Sequence, residues 1–161
     1  MELSPEGAHP GAGGRRIKAL IQRVKEASVT VDGAKCGSID RGYLVFLGVK
    51  KGETAEKAVE LARKVASLRI MSDAEGKMNL GLAETEGSVL VVSQMTLYGD
   101  CSKGRRPSFE SVAPGAEAGP VYEAFVSALK GAGVRTETGV FGARMDVGLV
   151  NDGPVTFMLE I

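Results

Sequence analysis

A proline standing where a strand should run constrains this chain more than any other feature. Ala143-Arg144-Met145-Asp146-Val147-Gly148-Leu149-Val150 and Phe157-Met158-Leu159-Glu160-Ile161 read as two closing strands, with Asn151-Asp152-Gly153-Pro154-Val155-Thr156 between them. Proline lacks an N–H, so Pro154 gives up a ladder hydrogen bond and leaves carbonyl oxygens without a partner. Two readings are open. Asn-Asp-Gly is good turn chemistry, which makes the segment a hairpin turn. Alternatively it is a rigid backbone element that offers its carbonyl oxygens to a ligand.

The remaining pattern predicts a sheet-rich fold. Strands are expected at Ile17–Val24, Ala27–Val31, Cys36–Ile39 after an Asp32-Gly33 hairpin signal, and Tyr43–Val49, a near-continuous apolar run suited to a central strand. Ala58, Leu61, Ala62, Val65 and Leu68 recur at helical spacing, predicting a helix over about 55–69 with Thr54 as its N-cap. Met78–Leu80 reads as a short irregular strand and Ser88–Leu97 as a strongly apolar one. Pro120 suits the first turn of a second helix over about 121–130, with Val121, Phe125, Val126 and Leu129 facing inward. Val134–Thr138 is a further strand. The sum is one α+β (sheet-rich α/β) domain over residues 17–161, with about seven or eight strands and two main helices. Residues 1–16 carry Pro5, Pro10 and several glycines and read as a disordered extension.

Composition narrows the function. Lys plus Arg equals Asp plus Glu at 20 each, so no net field draws the protein onto nucleic acid. Cys36 and Cys101 lack CxxC spacing, which argues against a disulfide framework and a zinc ribbon and favours a reducing, cytoplasmic setting. No apolar run is long enough to span a bilayer. No GxGxxG or P-loop follows a strand, so no nucleotide cofactor is expected, and no metal either. His9, the one histidine, falls in the extension. The folded part therefore has no imidazole for a Ser-His or Cys-His pair, and the commonest hydrolase mechanisms drop out.

Ser93-Gln94-Met95-Thr96-Leu97 is polar where bare patterning predicts more core. Ser93 and Thr96 can simply satisfy backbone groups at a strand end. As a site, the segment supplies two hydroxyls, an amide and, if the chain turns, free N–H groups suited to an oxyanion. Thr96 as a nucleophile lacks a base to take its proton. Arg23 is either a surface residue or a forked donor to main-chain carbonyls that locks a loop. Lys103-Gly104-Arg105-Arg106-Pro107-Ser108-Phe109 is either solvated or a phosphate contact with Phe109 nearby.

Taken together, Ser93-Gln94-Met95-Thr96-Leu97 and Asn151-Asp152-Gly153-Pro154-Val155-Thr156, supported by Ala19-Leu20-Ile21-Gln22-Arg23-Val24 and the basic loop, resemble the D-aminoacyl-tRNA deacylases. The resemblance covers residues 17–161. Met95 departs from the phenylalanine common in that family, and the first sixteen residues have no usual counterpart.

The resemblance implies hydrolysis of the ester joining a D-amino acid, or glycine, to the 3′-terminal adenosine of tRNA. It implies a homodimer with shared sites, in which Gly153-Pro154 of one subunit, with a cis peptide bond, enters the pocket of the other. Arg23 matches the arginine that pins that element, and Asn151 and Phe109 are expected beside the substrate. Water activated with the RNA's own 2′-hydroxyl would attack, and N–H groups near Gln94 to Thr96 would hold the oxyanion. Aminoacyl-tRNA is then the expected partner, with no DNA and no membrane. The rival reading is a non-catalytic nucleic-acid-binding protein on the same scaffold. A third is an editing module beside a synthetase.

Overall fold

Buried and half-buried residues alternate from Ile17 to Arg23 and again from Ala27 to Thr30, and β1 (Ile17–Val31) runs through the break between them as one long strand where the sequence suggests two. The structure, a computed structural model, describes residue 14 and residues 16–161. The expected extension, with His9, lies outside the described residues except at Gly14 and Arg16. Arg16 is tied to the sheet: its N–H donates to the Ile161 carbonyl at 2.7 Å, and its carbonyl accepts from Lys50 N–H at 2.7 Å.

β1 is the spine of the fold. Its first half pairs antiparallel with β3 (Gly42–Val49) and its second half with β2 (Ala34–Ile39). Along the other edge it pairs antiparallel with β8 (Asp146–Glu160) over nearly its full length. β3 continues the sheet to β6 (Ser88–Ser93) and then β7 (Arg135–Thr138), both in parallel register. Parallel neighbours need crossovers, and α1 (Ala55–Ser67) and α3 (Gly115–Gly131) supply them. Met71–Ser72 (β4) and Met78–Leu80 (β5) form a separate antiparallel pair. With these eight strands, the two long helices and the short α2 (Leu82–Thr85), the chain is a sheet-rich α+β domain.

Two apolar clusters flank the sheet. Ile17, Ile21, Val45 and Val91 meet Leu61 and Val65 of α1 and Phe125 and Leu129 of α3. On the other side Val24, Val29, Ile39, Leu44, Leu90 and Val92 are enclosed as β2 folds over toward β7. No helix among the described residues is long and apolar enough to cross a membrane.

Four further readings are revised by the structure. The strand expected over 88–97 ends at Ser93, and Met95–Tyr98 winds into a 3₁₀ turn. α3 begins at Gly115, so Pro120 lies inside it rather than in its first turn. Pro114 caps it, accepting from Glu117 and Ala118 N–H at 2.9 Å each, so only one later helical bond is lost at Pro120. The short α2 was not expected; Glu84 closes its start by accepting from Gly81 N–H at 2.9 Å. Finally, residues 151–156 are not a hairpin turn. They are an outward excursion within β8, which keeps its partner on both sides.

Candidate active site

The excursion is built from main-chain groups and held by side chains. From Thr156 back to Asn151, β8 takes five steps while β1 takes two, from Gln22 to Val24. The surplus forms a loop whose Gly153–Pro154 bond is cis. Gly153 has φ +153°, and a Cβ there would stand 2.7 Å from Val155 N, so only glycine fits.

Asn151 closes the base of this loop. Its Oδ1 accepts from Val155 N–H at 2.7 Å, and its Nδ2 donates to the Val155 carbonyl at 3.1 Å. Gln22 Nε2 donates to Thr156 Oγ1 at 3.2 Å. Arg23, only 7% exposed, donates from Nε to the Asp152 carbonyl at 2.9 Å. From Nη1 it donates to the Ile70 carbonyl at 2.9 Å and Ser72 Oγ at 3.2 Å. The Asp152 carboxylate sits 3.8 Å from Nε. Arg23 is therefore the forked donor and not a surface residue. Gly153 and Pro154 stay exposed on a fixed base.

The second motif lies where β6 ends. Gln94 N–H donates to the Leu47 carbonyl at 2.8 Å, keeping the chain against β3 before it turns. Within the turn, Leu97 N–H reaches the Gln94 carbonyl at 3.2 Å and Gly99 N–H the Thr96 carbonyl at 2.9 Å. The N–H groups of Met95 and Thr96 have no acceptor among the described residues, as expected for the first donors of a helical turn. The Gln94 side-chain amide donates to the Thr96 hydroxyl. The turn can thus offer two N–H groups to one oxygen, with the Thr96 hydroxyl already engaged.

Tyr98 anchors the turn in the interior. Its hydroxyl is buried without a partner, and burial, with Glu160 and Glu53 adding, pushes its pKa upward. Phe109, half exposed, packs on Gly99 beside the turn; its ring edge is 3.2 Å from where a Gly99 Cβ would be. Asp100 and Ser108 exchange two backbone hydrogen bonds of 2.8 Å, and Lys103, Arg105 and Arg106 project from the exposed loop between them.

One protomer does not bring the two motifs together. Gly153 and Pro154 stand level with Gln22–Val24 of β1, whereas Gln94 follows the Leu47–Ser93 pair, level with Ala19. Four residues along the strand is about 13 Å, and β8 to β6 is three strand spacings, about 14 Å. The groove of about 310 Å³ between β1, β2 and β8, lined by Glu26, Lys35, Asp40 and Leu149 among others, contains neither motif. No group of three His, Cys, Asp or Glu side chains among the described residues is arranged to hold a metal ion.

Residues 20–160 match the family model described as D-Tyr-tRNA(Tyr) deacylase. The chain belongs to that deacylase family. It is 56% identical over 144 residues to the D-aminoacyl-tRNA deacylase of Geobacter sulfurreducens, covering 89% of this chain and 95% of that one. It is 54% identical over 144 residues to that of Thermus aquaticus, with 89% and 95% covered. A solved structure named c-Myc DNA Unwinding Element Binding Protein superposes with TM-score 0.83 at 37% identity, over 89% of this chain and 98% of that one. A structure described as a probable eukaryotic D-amino acid tRNA deacylase shares the fold, with TM-score 0.78 at 20% identity, over 90% of this chain and 99% of that one.

Several contacts of this candidate site had no sequence signal. Ile70 and Ser72, which hold Arg23, come from an irregular segment with no motif. Gly48 did carry one: a lone glycine within an apolar strand marks a close approach of backbone.

Proposed function

We propose that this protein cleaves D-aminoacyl-tRNA at a site assembled from two copies of the chain. The deacylase itself, a hydrolase, follows from family membership and from relatives of that name at 54–56% identity. The observation that carries the shared site is the pinned, exposed Gly153–Pro154 tip. It stands too far from Met95 and Thr96 in its own protomer to act with them. A second copy supplies the missing half.

Further support comes from β8, whose outer edge pairs with no strand among the described residues. Leu149, Val150, Phe157 and Met158 are 36–45% exposed on either side of the tip, an apolar flank suited to a symmetric partner.

In the proposed reaction the ester carbonyl oxygen lies between the N–H groups of Met95 and Thr96. Water adds to the carbonyl carbon, and the 2′-hydroxyl of the terminal adenosine relays its proton. The bond to the 3′-oxygen breaks, that oxygen takes the proton, and the D-amino acid departs. Aminoacyl esters are already activated, so positioning and two amide donors meet the chemical demand. The partner's Gly153 and Pro154 carbonyls hold the substrate amino group and leave no room for an L side chain. Glycine passes the same filter. Asn151 keeps the filter's shape, and Phe109 borders the RNA end. The setting is the cytoplasm, where aminoacyl-tRNA is found.

Purified protein is expected to release D-tyrosine from D-tyrosyl-tRNA while leaving L-tyrosyl-tRNA intact. Equal cleavage of the two would sink the filter. Sedimentation at micromolar concentration is expected to show a dimer; a monomer with full activity would sink the shared site.

The rival reading, a non-catalytic nucleic-acid-binding protein gripping phosphates through Lys103, Arg105 and Arg106, finds no support in the relatives at 54–56% identity, which are named deacylases.

A further inference from the structure

Two residues outside both motifs govern the turn that carries the free N–H groups. Lys18 of β1 is half-buried, and its Nζ donates to the Leu97 carbonyl at 3.3 Å. The same ammonium lies 4.7 Å from the centroid of the Tyr98 ring, a cation–π distance. Lys18 thus grips two successive residues at the far end of the turn.

Gly48 is paired with Lys18 across the β1–β3 ladder. A Cβ at Gly48 would stand 2.8 Å from Leu97 Cβ and 3.0 Å from the Gln94 carbonyl oxygen. The turn therefore rests on bare backbone, and any side chain at Gly48 would lift it. Gln94 and Leu97 are also the two ends of the hydrogen bond that closes the turn. Clamp and seat share Leu97, and between them they bracket Met95 and Thr96.

We infer that Lys18 and Gly48 are positioning residues for ester hydrolysis, fixing the direction in which the Met95 and Thr96 N–H groups point. The inference rests on the reading that those groups stabilise the oxyanion. Neither residue touches substrate. Lys18 holds the far end of the turn, and Gly48 lets it lie flat on β3.

The test measures kcat, KM and the thermal midpoint of the full-length chain with D-tyrosyl-tRNA. Misplaced donors lower kcat, so Lys18→Met and Gly48→Ala are expected to reduce it roughly 10- to 100-fold with KM little changed. Lys18→Arg is expected to recover most of the loss, because a guanidinium also donates to a carbonyl and stacks on a ring. A lysine that served only stability would shift the midpoint and leave kcat of the folded protein alone. Met95→Pro is the reference variant. It removes one N–H at a position where proline fits a helical start and is expected to cost about 100-fold or more in kcat.

If Met95→Pro collapses kcat while Lys18→Met and Gly48→Ala do not, the inference is overturned and the oxyanion reading stands. If all three leave kcat intact, the oxyanion reading fails and takes the inference with it. A rise in KM alone for Lys18→Met, or no recovery with arginine, would also overturn the assignment. Should Lys18→Met fail to fold, Lys18→Gln and Gly48→Ala carry the same comparison.

Discussion

At Gly153–Pro154 the chain is exposed but every approach to it is fastened, whereas between Asp100 and Ser108 it is exposed and mostly free. The first segment is held by six side-chain hydrogen bonds of 2.7–3.2 Å from Gln22, Arg23 and Asn151 and onto Ile70 and Ser72, three of them to or from main chain of the loop itself. The second has the backbone pair at its neck and one bond from Ser102 N–H to the Asp100 carboxylate at 2.8 Å. Exposure and freedom are thus separate properties. A filter that works by excluding volume needs carbonyls that do not yield. A basic loop meeting a phosphate chain gains from adjusting to it.

Removing the fastening is the hardest blow to this contrast. Arg23→Ala would strip the buried donor from the Asp152 and Ile70 carbonyls, with an expected loss of about 3 kcal/mol in a denaturant titration. The surviving folded protein is expected to cleave L- and D-tyrosyl-tRNA more nearly alike. Undiminished discrimination would show that the tip does not depend on its anchor.

Asn151→Ala should act in the same direction and more weakly. It removes both contacts to Val155, at about 1–2 kcal/mol by the same titration, with a partial loss of discrimination. An unchanged midpoint would show that the cis loop keeps its shape without Asn151.

Alkali probes the packing beneath each region. Burial pushes Tyr43, which pairs with Arg23 across the ladder, up to about 12, and Tyr98 under the turn is raised as well. A raised folded-state pKa favours the folded state fully below the unfolded value, near 10, and that contribution is lost as pH climbs through the folded value. Stability should therefore hold to about pH 10 and decline between about 10 and 12, read by tyrosinate absorbance together with circular dichroism. Tyrosine titration near 10 without unfolding would refute the burial.

The loose loop should matter least to stability. Changing Lys103, Arg105 and Arg106 together to serine is expected to alter the unfolding free energy by less than about 0.5 kcal/mol. The same variant should bind tRNA more weakly with a shallower dependence on salt, measured by filter binding over a salt series. A large loss of stability would mean the loop is fastened after all.

What could be read in advance followed side-chain periodicity. The strands around Ile17 and Tyr43, and the helix with Ala58, Leu61, Ala62 and Val65 buried, answer to local pattern alone. Pattern failed where backbone chemistry decided. Asn151-Asp152-Gly153 left a chain reversal open beside a rigid backbone element, and the strand resumes its partner beyond the loop. The glycine- and alanine-rich start of α3 hid a helical turn, because small residues carry no apolar stripe even where Ala118 is buried. At the site, Arg23 was legible as a forked donor, and its acceptors were not, since carbonyls carry no residue signature. Lys18 looked like any charged residue near a strand end.

Between its pairings with Gln22 and Val24 of β1, the loop in β8 carries three surplus residues, an odd number with a consequence for variation. Side chains on a strand point to opposite sides in turn, so the odd surplus exchanges the sides of β8. Leu159 packs with the helix-side cluster and Val147 with the opposite one. One extra residue in β1 between Val24 and Glu26 keeps partners on a common side. A deletion or insertion of one residue between Asn151 and Val155 would invert everything on one flank, burying what now meets solvent. Variants of this segment that still fold should therefore differ in length by pairs.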